Sequence, residues 1–235
     1  MISVRGIHKH FPGGREVLRG LDFDVQDGEV VALMGANGAG KSTLFGILST
    51  LDRDFEGEAF IGGVSVREDP LEIRRHLGYV PGRFSLYEDL SVQENMDFFA
   101  QAYGVGAHDI PSQLWESLIP FRNARAGTLS GGMKQKLAFC CARVHHPDVL
   151  LLDEPTVGVD PVSRYELWNE ILSLRQEKAC VLVSTHYLDE AERADRILFL
   201  HQGRQLLYDT PEHILAQYGQ PSLEEVFIQT LKETP

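Results

Sequence analysis

Cysteine is scarce in this chain of 235 residues: Cys140, Cys141 and Cys180 are all there is, an odd number at spacings that suit neither a metal centre nor a disulfide framework. They are expected as small core residues in a reducing compartment. Basic residues are short as well, 22 Lys and Arg against 34 Asp and Glu, which leaves a formal net charge of −12. That balance argues against nucleic acid as the main partner, because neutralising phosphates requires clustered Lys and Arg. No apolar run approaches the length of a membrane-spanning helix. Arg5, His8 and Lys9 interrupt the start with a strand-like pattern unlike a signal peptide, so the chain itself is expected to be soluble. Low-complexity segments and internal repeats are missing too. With 43% hydrophobic residues there is enough apolar material for one large core, or a core plus a subdomain.

What is present begins with Gly35-Ala36-Asn37-Gly38-Ala39-Gly40-Lys41-Ser42-Thr43, the spacing of a phosphate-binding loop. The loop follows a continuous apolar run, Glu29 to Met34, suited to a fully buried strand, and opens into Ser42 to Leu48, which has helical spacing. Glycines let the main chain turn its amides inward, and the helix adds its positive N-terminus beneath the phosphates. Lys41 is expected to reach β- and γ-phosphates and Ser42 to ligate Mg²⁺.

More than a hundred residues later, Val149-Leu150-Leu151-Leu152 ends in Asp153-Glu154. The carboxyl ends of strands are where an open parallel α/β sheet binds its ligand, which brings these carboxylates to the mouth of the phosphate loop. Side chains alternate along a strand, so Asp153 is assigned to the metal and Glu154, facing the other way, to the general base acting on a water in line with the γ-phosphate.

A third element, Leu129-Ser130-Gly131-Gly132-Met133-Lys134-Gln135, precedes a long helical stretch for which Ser130 is a natural N-cap. Set between a phosphate loop and a carboxylate strand, it resembles the signature motif of the ATP-binding cassette (ABC) ATPases, and the resemblance spreads over essentially the whole chain. It implies an α/β fold with a P-loop NTPase core and mostly parallel sheet, an N-terminal antiparallel β-subdomain and an inserted helical subdomain. One cassette is expected over 1–235, with the helical subdomain at about 87–146 and a closing hairpin and helices at about 203–235.

The resemblance also implies roles. ATP with Mg²⁺ would be bound by Phe11 stacking on adenine, by Gly35, Asn37, Gly38, Ala39, Gly40, Lys41, Ser42 and Thr43 around the phosphates, and by Ser130, Gly131 and Gly132 from a second cassette, identical or not, in a head-to-tail dimer. Ser42 and Asp153 would hold the metal. Lys41, Glu154 and His186, the last matching the switch histidine, would act on the γ-phosphate, and Gly158-Val159-Asp160-Pro161 resembles the loop coupling the two sites. Permease subunits in the membrane would be the partners, with the chain on the cytoplasmic face. Phe84 to Asp89 are expected either to dock a partner helix or to pack at the subdomain junction.

One position departs from the family. After Leu77-Gly78-Tyr79-Val80-Pro81 most members carry glutamine, whose side chain touches Mg²⁺ or the attacking water; here stands Gly82. This implies intact binding with altered hydrolysis or coupling, and keeps open a hydrolysis-impaired cassette that pairs with an active one. A third alternative is a non-transport ABC ATPase, though such relatives usually carry coiled-coil insertions or two cassettes. His145-His146 before Pro147 read as a solvated helix end. At the tail, Thr210-Pro211 and Ser222 to Glu225 are helix starts, the second a capping box. Pro221 to Phe227 resembles the ending of cassettes serving drug, lipid or polysaccharide exporters.

Overall fold

Three apolar runs build the centre of the molecule. In the computed structural model, which describes residues 1–82, 86–106 and 112–233, β3 (Val30–Met34), β7 (Val149–Leu152) and β8 (Cys180–Ser184) are buried at every position. Their side chains divide by parity. Ala32, Leu150 and Val181 face one hydrophobic cluster while Leu33, Leu151 and Leu182 face another, so the sheet is covered on both sides. Each such leucine contributes about 1.5–3 kcal/mol by leaving water.

Around them the chain runs β1 (Ile2–Phe11), β2 (Arg15–Val25), β3, α1 (Lys41–Leu48), β4 (Glu56–Ile61), β5 (Val64–Ser65), α2 (Pro70–His76), β6 (Leu77–Val80), α3 (Val92–Tyr103), α4 (Gln113–Leu118), α5 (Gly131–Arg143), β7, α6 (Pro161–Ser173), β8, α7 (Leu188–Ala191), β9 (Arg196–His201), β10 (Arg204–Asp209), α8 (Pro211–Tyr218) and α9 (Leu223–Glu233). The central sheet has the order β10-β9-β3-β8-β7-β6 and is parallel except for β10, which returns antiparallel through the Gln202-Gly203 turn. A second, antiparallel sheet, β2-β1-β4-β5, covers one face together with α1. Helices α3 to α6 and α9 cover the other. The expected fold is therefore the observed one: a P-loop NTPase α/β core, an N-terminal antiparallel sheet and helices inserted between β6 and β7.

Local signals set the helix starts. Ser91 caps α3 with a complete capping box, its Oγ accepting from Glu94 N–H while the Glu94 carboxylate accepts from Ser91 N–H. Thr210 caps α8, and Ser222 Oγ accepts from Glu225 N–H at the start of α9. The three cysteines are buried and unpaired as expected, and burial pushes Cys140 and Cys180 up to about 12. Among the described residues no helix is long and apolar enough to cross a membrane.

One expectation fails. His145 is not a solvated helix end: its ring stacks on Tyr103 with centroids 3.6 Å apart, and both ring nitrogens are buried. Burial lowers its pKa to about 4, with His146 and His76 adding to the shift and the Leu77 backbone opposing it. Polar spacing before a proline suggested solvent; the helix places the ring against α3.

Candidate functional site

The phosphate loop leaves β3 at Gly35 and enters α1 through Gly40, whose φ of +111° belongs to the left-handed half of backbone space. A Cβ there would lie 2.6 Å from Leu18 Cδ2, so the position has room for glycine alone. No side chain caps α1, and its first turn holds no acidic residue. Its leading N–H groups are thus aimed at the adjoining cleft without a capping oxygen of their own.

That cleft, about 590 Å³, is lined by Asn37, Gly38, Gly40, Lys41, Ser42 and Thr43 from the loop and helix, by Phe11, Pro12, Arg15 and Val17 from the antiparallel sheet, and by Glu154. Phe11 is 42% exposed, more than a core phenylalanine would be. Lys41 is only 5% exposed; its ammonium donates to Gly35 O at 2.8 Å and lies 3.6 Å from Glu154 Oε1. Burial lowers the Lys41 pKa and the Glu154 charge opposes that. Gly35 and Ala39 lie beneath the loop rather than in the cleft wall; Ala39 O accepts from Gly203 N–H, so the β9–β10 turn supports the loop from below.

Asp153 and Glu154 follow β7 directly. Asp153 is buried, with Oδ2 accepting from Ser42 Oγ at 3.0 Å and Oδ1 from Ser184 Oγ at 2.7 Å. Their separation has a different cause from strand alternation. Strand β7 stops at Leu152, and Glu154 has φ +53°, a left-handed conformation costly for a non-glycine residue. Ser184 Oγ accepts from the Glu154 N–H at 2.8 Å and so fixes both acidic residues. The Glu154 carboxylate then points across to His186, whose Nε2 lies 2.5 Å from Oε1. Ser184, at the end of an apolar strand, carried no signal by itself.

Ser130, Gly131 and Gly132 do not join this cleft. Ser130 caps α5, its exposed Oγ accepting from Met133 N–H at 3.3 Å. Their neighbours belong to the next loop: a Cβ on Gly132 would stand 2.6 Å from Ser163 Oγ, and one on Gly131 3.1 Å from Gly158 O. Asp160 caps α6 through Val162 and Ser163 N–H, and those bonds hold its carboxyl below the usual range.

Gly82 lies beside Asp153. A Cβ at that position would sit 3.5 Å from Asp153 Oδ2, an ordinary contact. Arg83, Phe84 and Ser85 lie outside the described residues. Tyr87 is exposed, with its ring 4.6 Å from that of Phe98.

The sequence pattern of the family described as ABC transporter matches residues 18–157. Over 223 residues the chain is 38% identical to the probable multidrug ABC transporter ATP-binding protein YbhF of Escherichia coli (strain K12), covering 91% of this chain and 39% of that protein. The chain thus spans well under half the length of that relative. Among solved structures it is similar to an ATP-binding subunit of an ABC transporter, with TM-score 0.90, 32% identity and coverage of 98% of this chain and 99% of the other. A dimeric post-hydrolysis state of the ATP-binding cassette MJ0796, bound to ADP and Pi, aligns with TM-score 0.78 at 25% identity, over 89% and 98% of the two chains. With the family pattern matched over more than half of the chain and the fold shared with a solved ATP-binding subunit, the chain belongs to the ABC transporter family.

Proposed function

We propose that the chain is the ATP-binding and ATP-hydrolysing subunit of a membrane exporter, one cassette over 1–235 with 87–146 as its helical subdomain and 203–235 as its closing hairpin and helices. The convergence of Lys41, Ser42, Asp153, Glu154 and His186 on one cleft beside Phe11 carries the reading.

Phe11 stacks on the adenine, and the α1 N–H groups with Lys41 hold the β- and γ-phosphates. Ser42 Oγ and Asp153 Oδ2, 3.0 Å apart, are hard oxygen donors of the kind that suits Mg²⁺ and would hold it. Bound there, Mg²⁺ would neutralise charge on the transferring phosphoryl group. Glu154 accepts a proton from the water that attacks the γ-phosphorus; the new P–O bond forms as the bond to the β–γ bridging oxygen breaks, giving ADP and phosphate. His186, whose Nε2 lies against Glu154, would donate to the γ-phosphate once that nitrogen turns from the carboxylate. Glu154→Gln keeps the shape and loses the base, so turnover is expected to fall about 10²- to 10⁴-fold with ATP still bound; wild-type turnover in that variant would remove Glu154 from the role.

The signature motif lies away from this cleft, which supports a composite site completed by Ser130, Gly131 and Gly132 of a second cassette. The dimeric relative bound to ADP and Pi is in line with that. Turnover rising faster than linearly with protein concentration tests it. Exposed Leu51, Tyr87, Phe98 and Tyr103 offer an apolar surface to permease subunits at the cytoplasmic side, where ATP is found. The export direction rests on the Pro221 to Phe227 ending and on the multidrug relative. The acidic balance leaves nucleic acid out of the partners.

A second reading, slowed hydrolysis, is favoured by the open contact position that Gly82 leaves beside Asp153. A Cβ is tolerated at Gly82, and Gly82→Gln is expected to raise the ATPase rate several-fold or to tighten its dependence on the permease. An unchanged rate and unchanged coupling would discard this reading.

A further inference from the structure

Behind the hydrolytic pair lies a carboxylate that the proposed chemistry does not use. Glu190, on α7, is 3% exposed. Its Oε2 accepts from Thr156 Oγ1 at 2.9 Å and, at very short range, from Thr185 Oγ1; its Oε1 faces Arg164 Nε at 3.0 Å. Thr156 is two residues beyond Glu154, separated from it by the stiff Pro155, and Thr185 immediately precedes His186. Thr185 Oγ1 also accepts from Tyr187 N–H at 3.1 Å, which fixes the far side of His186. Arg164 comes from α6, within one residue of the Ser163 that packs on Gly132. It reaches Asp189 as well and lies over the Tyr187 ring at 4.0 Å.

We propose that Glu190 is a positioning residue for hydrolysis: one buried carboxylate ties Thr156 to Thr185 and so keeps Glu154 and His186 facing each other across the cleft. The geometry favours such a tie. Glu154 sits in a left-handed conformation that persists only when its surroundings over-determine it; Ser184 Oγ holds its N–H and Val157 N–H its carbonyl, and Glu190 holds Thr156 between them. Two threonine hydroxyls donating to one oxygen leave Arg164 to balance the charge. Glu190 therefore also links the switch segment to the helix behind the signature motif. The inference rests on the reading of Glu154 as base.

The test compares Glu190→Gln, Thr156→Val and Thr185→Val with wild type and Glu154→Gln, measuring kcat, KM and direct ATP affinity. The amide keeps the volume of the carboxylate, but with its oxygen on the threonines it turns an NH2 group, itself a donor, towards the Arg164 cation, and with its oxygen on Arg164 it loses both hydroxyl bonds, so the charged tie does not survive either way. kcat is expected to fall about 10- to 100-fold, as a misplaced catalytic group costs, with ATP affinity unchanged within twofold, and each valine variant should lose part of the same factor. In a Glu154→Gln background Glu190→Gln should add nothing. A purely structural Glu190 would instead lower thermal stability and ATP affinity together while the remaining active fraction turns over at the wild-type rate, and that result overturns the proposal. Should Glu190→Gln not fold, wild-type kcat in both valine variants overturns it equally. If Glu154→Gln itself turns over normally, the reading of the base fails first, and that outcome is told apart from normal turnover confined to the Glu190 series.

Discussion

The two helix starts proposed to bind phosphate are built in opposite ways. At α1 the cap is Gly40, with no side-chain oxygen, and the first residue, Lys41, is buried at the wall of a cleft. At α5 the cap is Ser130, with its hydroxyl already bonded to Met133 N–H, outside the cleft that Lys41 lines. Yet both first turns lack an acidic residue, while α2, α3 and α8 each carry one and α9 carries two. A carboxylate is the ordinary way to satisfy a helix start, and it would repel a phosphate. The contrast teaches that α1 starts without a side-chain acceptor for its amides, whereas α5 is capped by its own serine, and in the proposed composite site its neutral end would meet an anion brought to it.

The largest expected effect separates the two ends outright. Lys41→Ala should weaken ATP binding about 100-fold, because it removes a buried charge-assisted contact. Ser130→Ala should leave the ATP affinity of the dilute, monomeric chain within about twofold while lowering folding stability by about 1 kcal/mol through the lost cap. Titration with a fluorescent nucleotide and denaturant unfolding read the two quantities. Equal losses of affinity in dilute protein would break the comparison by showing that both ends serve one site in one chain.

A smaller effect is expected from Gly132→Ala. The new methyl group would meet Ser163 Oγ at 2.6 Å and Ser163 Cβ at 2.8 Å and so displace the start of α5 from α6. Turnover at high protein concentration should drop about tenfold, in the range that misplaced binding groups cost, with ATP affinity of the dilute chain untouched. Gly132→Ala with Ser163→Gly removes the two closest of the three nearest atoms, leaving Asp160 Oδ2 at 3.0 Å, and should restore most of the rate. No loss in the single variant would mean that the start of α5 is not part of any catalytic assembly.

Legibility followed locality. Phosphate loop, signature cap and apolar strands are contiguous stretches whose chemistry is written in neighbouring residues, and the fold they imply is the one observed. What was hidden comes from distant segments meeting. Ser184 reads as the end of an apolar strand, and its hold on Asp153 and Glu154 depends on β7 and β8 being adjacent. Glu154 takes its left-handed turn where Ser184 Oγ accepts its N–H, so a backbone turn and not strand alternation separates the two acids. Gly203 looks like an ordinary hairpin glycine; a Cβ there would strike Val17 O at 2.2 Å, beneath the phosphate loop. Glu190 reads as one acid in a charged stretch until Thr156, Arg164 and Thr185 surround it.

The smallest effect sharpens the comparison from the other end of α5. This helix ends at Arg143, and two residues on His145 stacks on Tyr103 of α3, neutral because burial has lowered its pKa from 6.5 to about 4. In the unfolded chain the same imidazole binds a proton below its ordinary value of 6.5, so over that window the unfolded state binds more protons than the folded one. The stabilising effect of the neutral ring is therefore complete above 6.5 and is lost as pH falls towards about 4. His145→Phe keeps a ring to stack on Tyr103 and removes the proton site. Unfolding measured from pH 7 to 4 should fall more steeply for wild type than for His145→Phe, and hydrogen exchange should loosen α3 and α5 ahead of α1. Parallel curves for the two proteins, or loosening that begins at α1, would mean that the signature end is not anchored through His145.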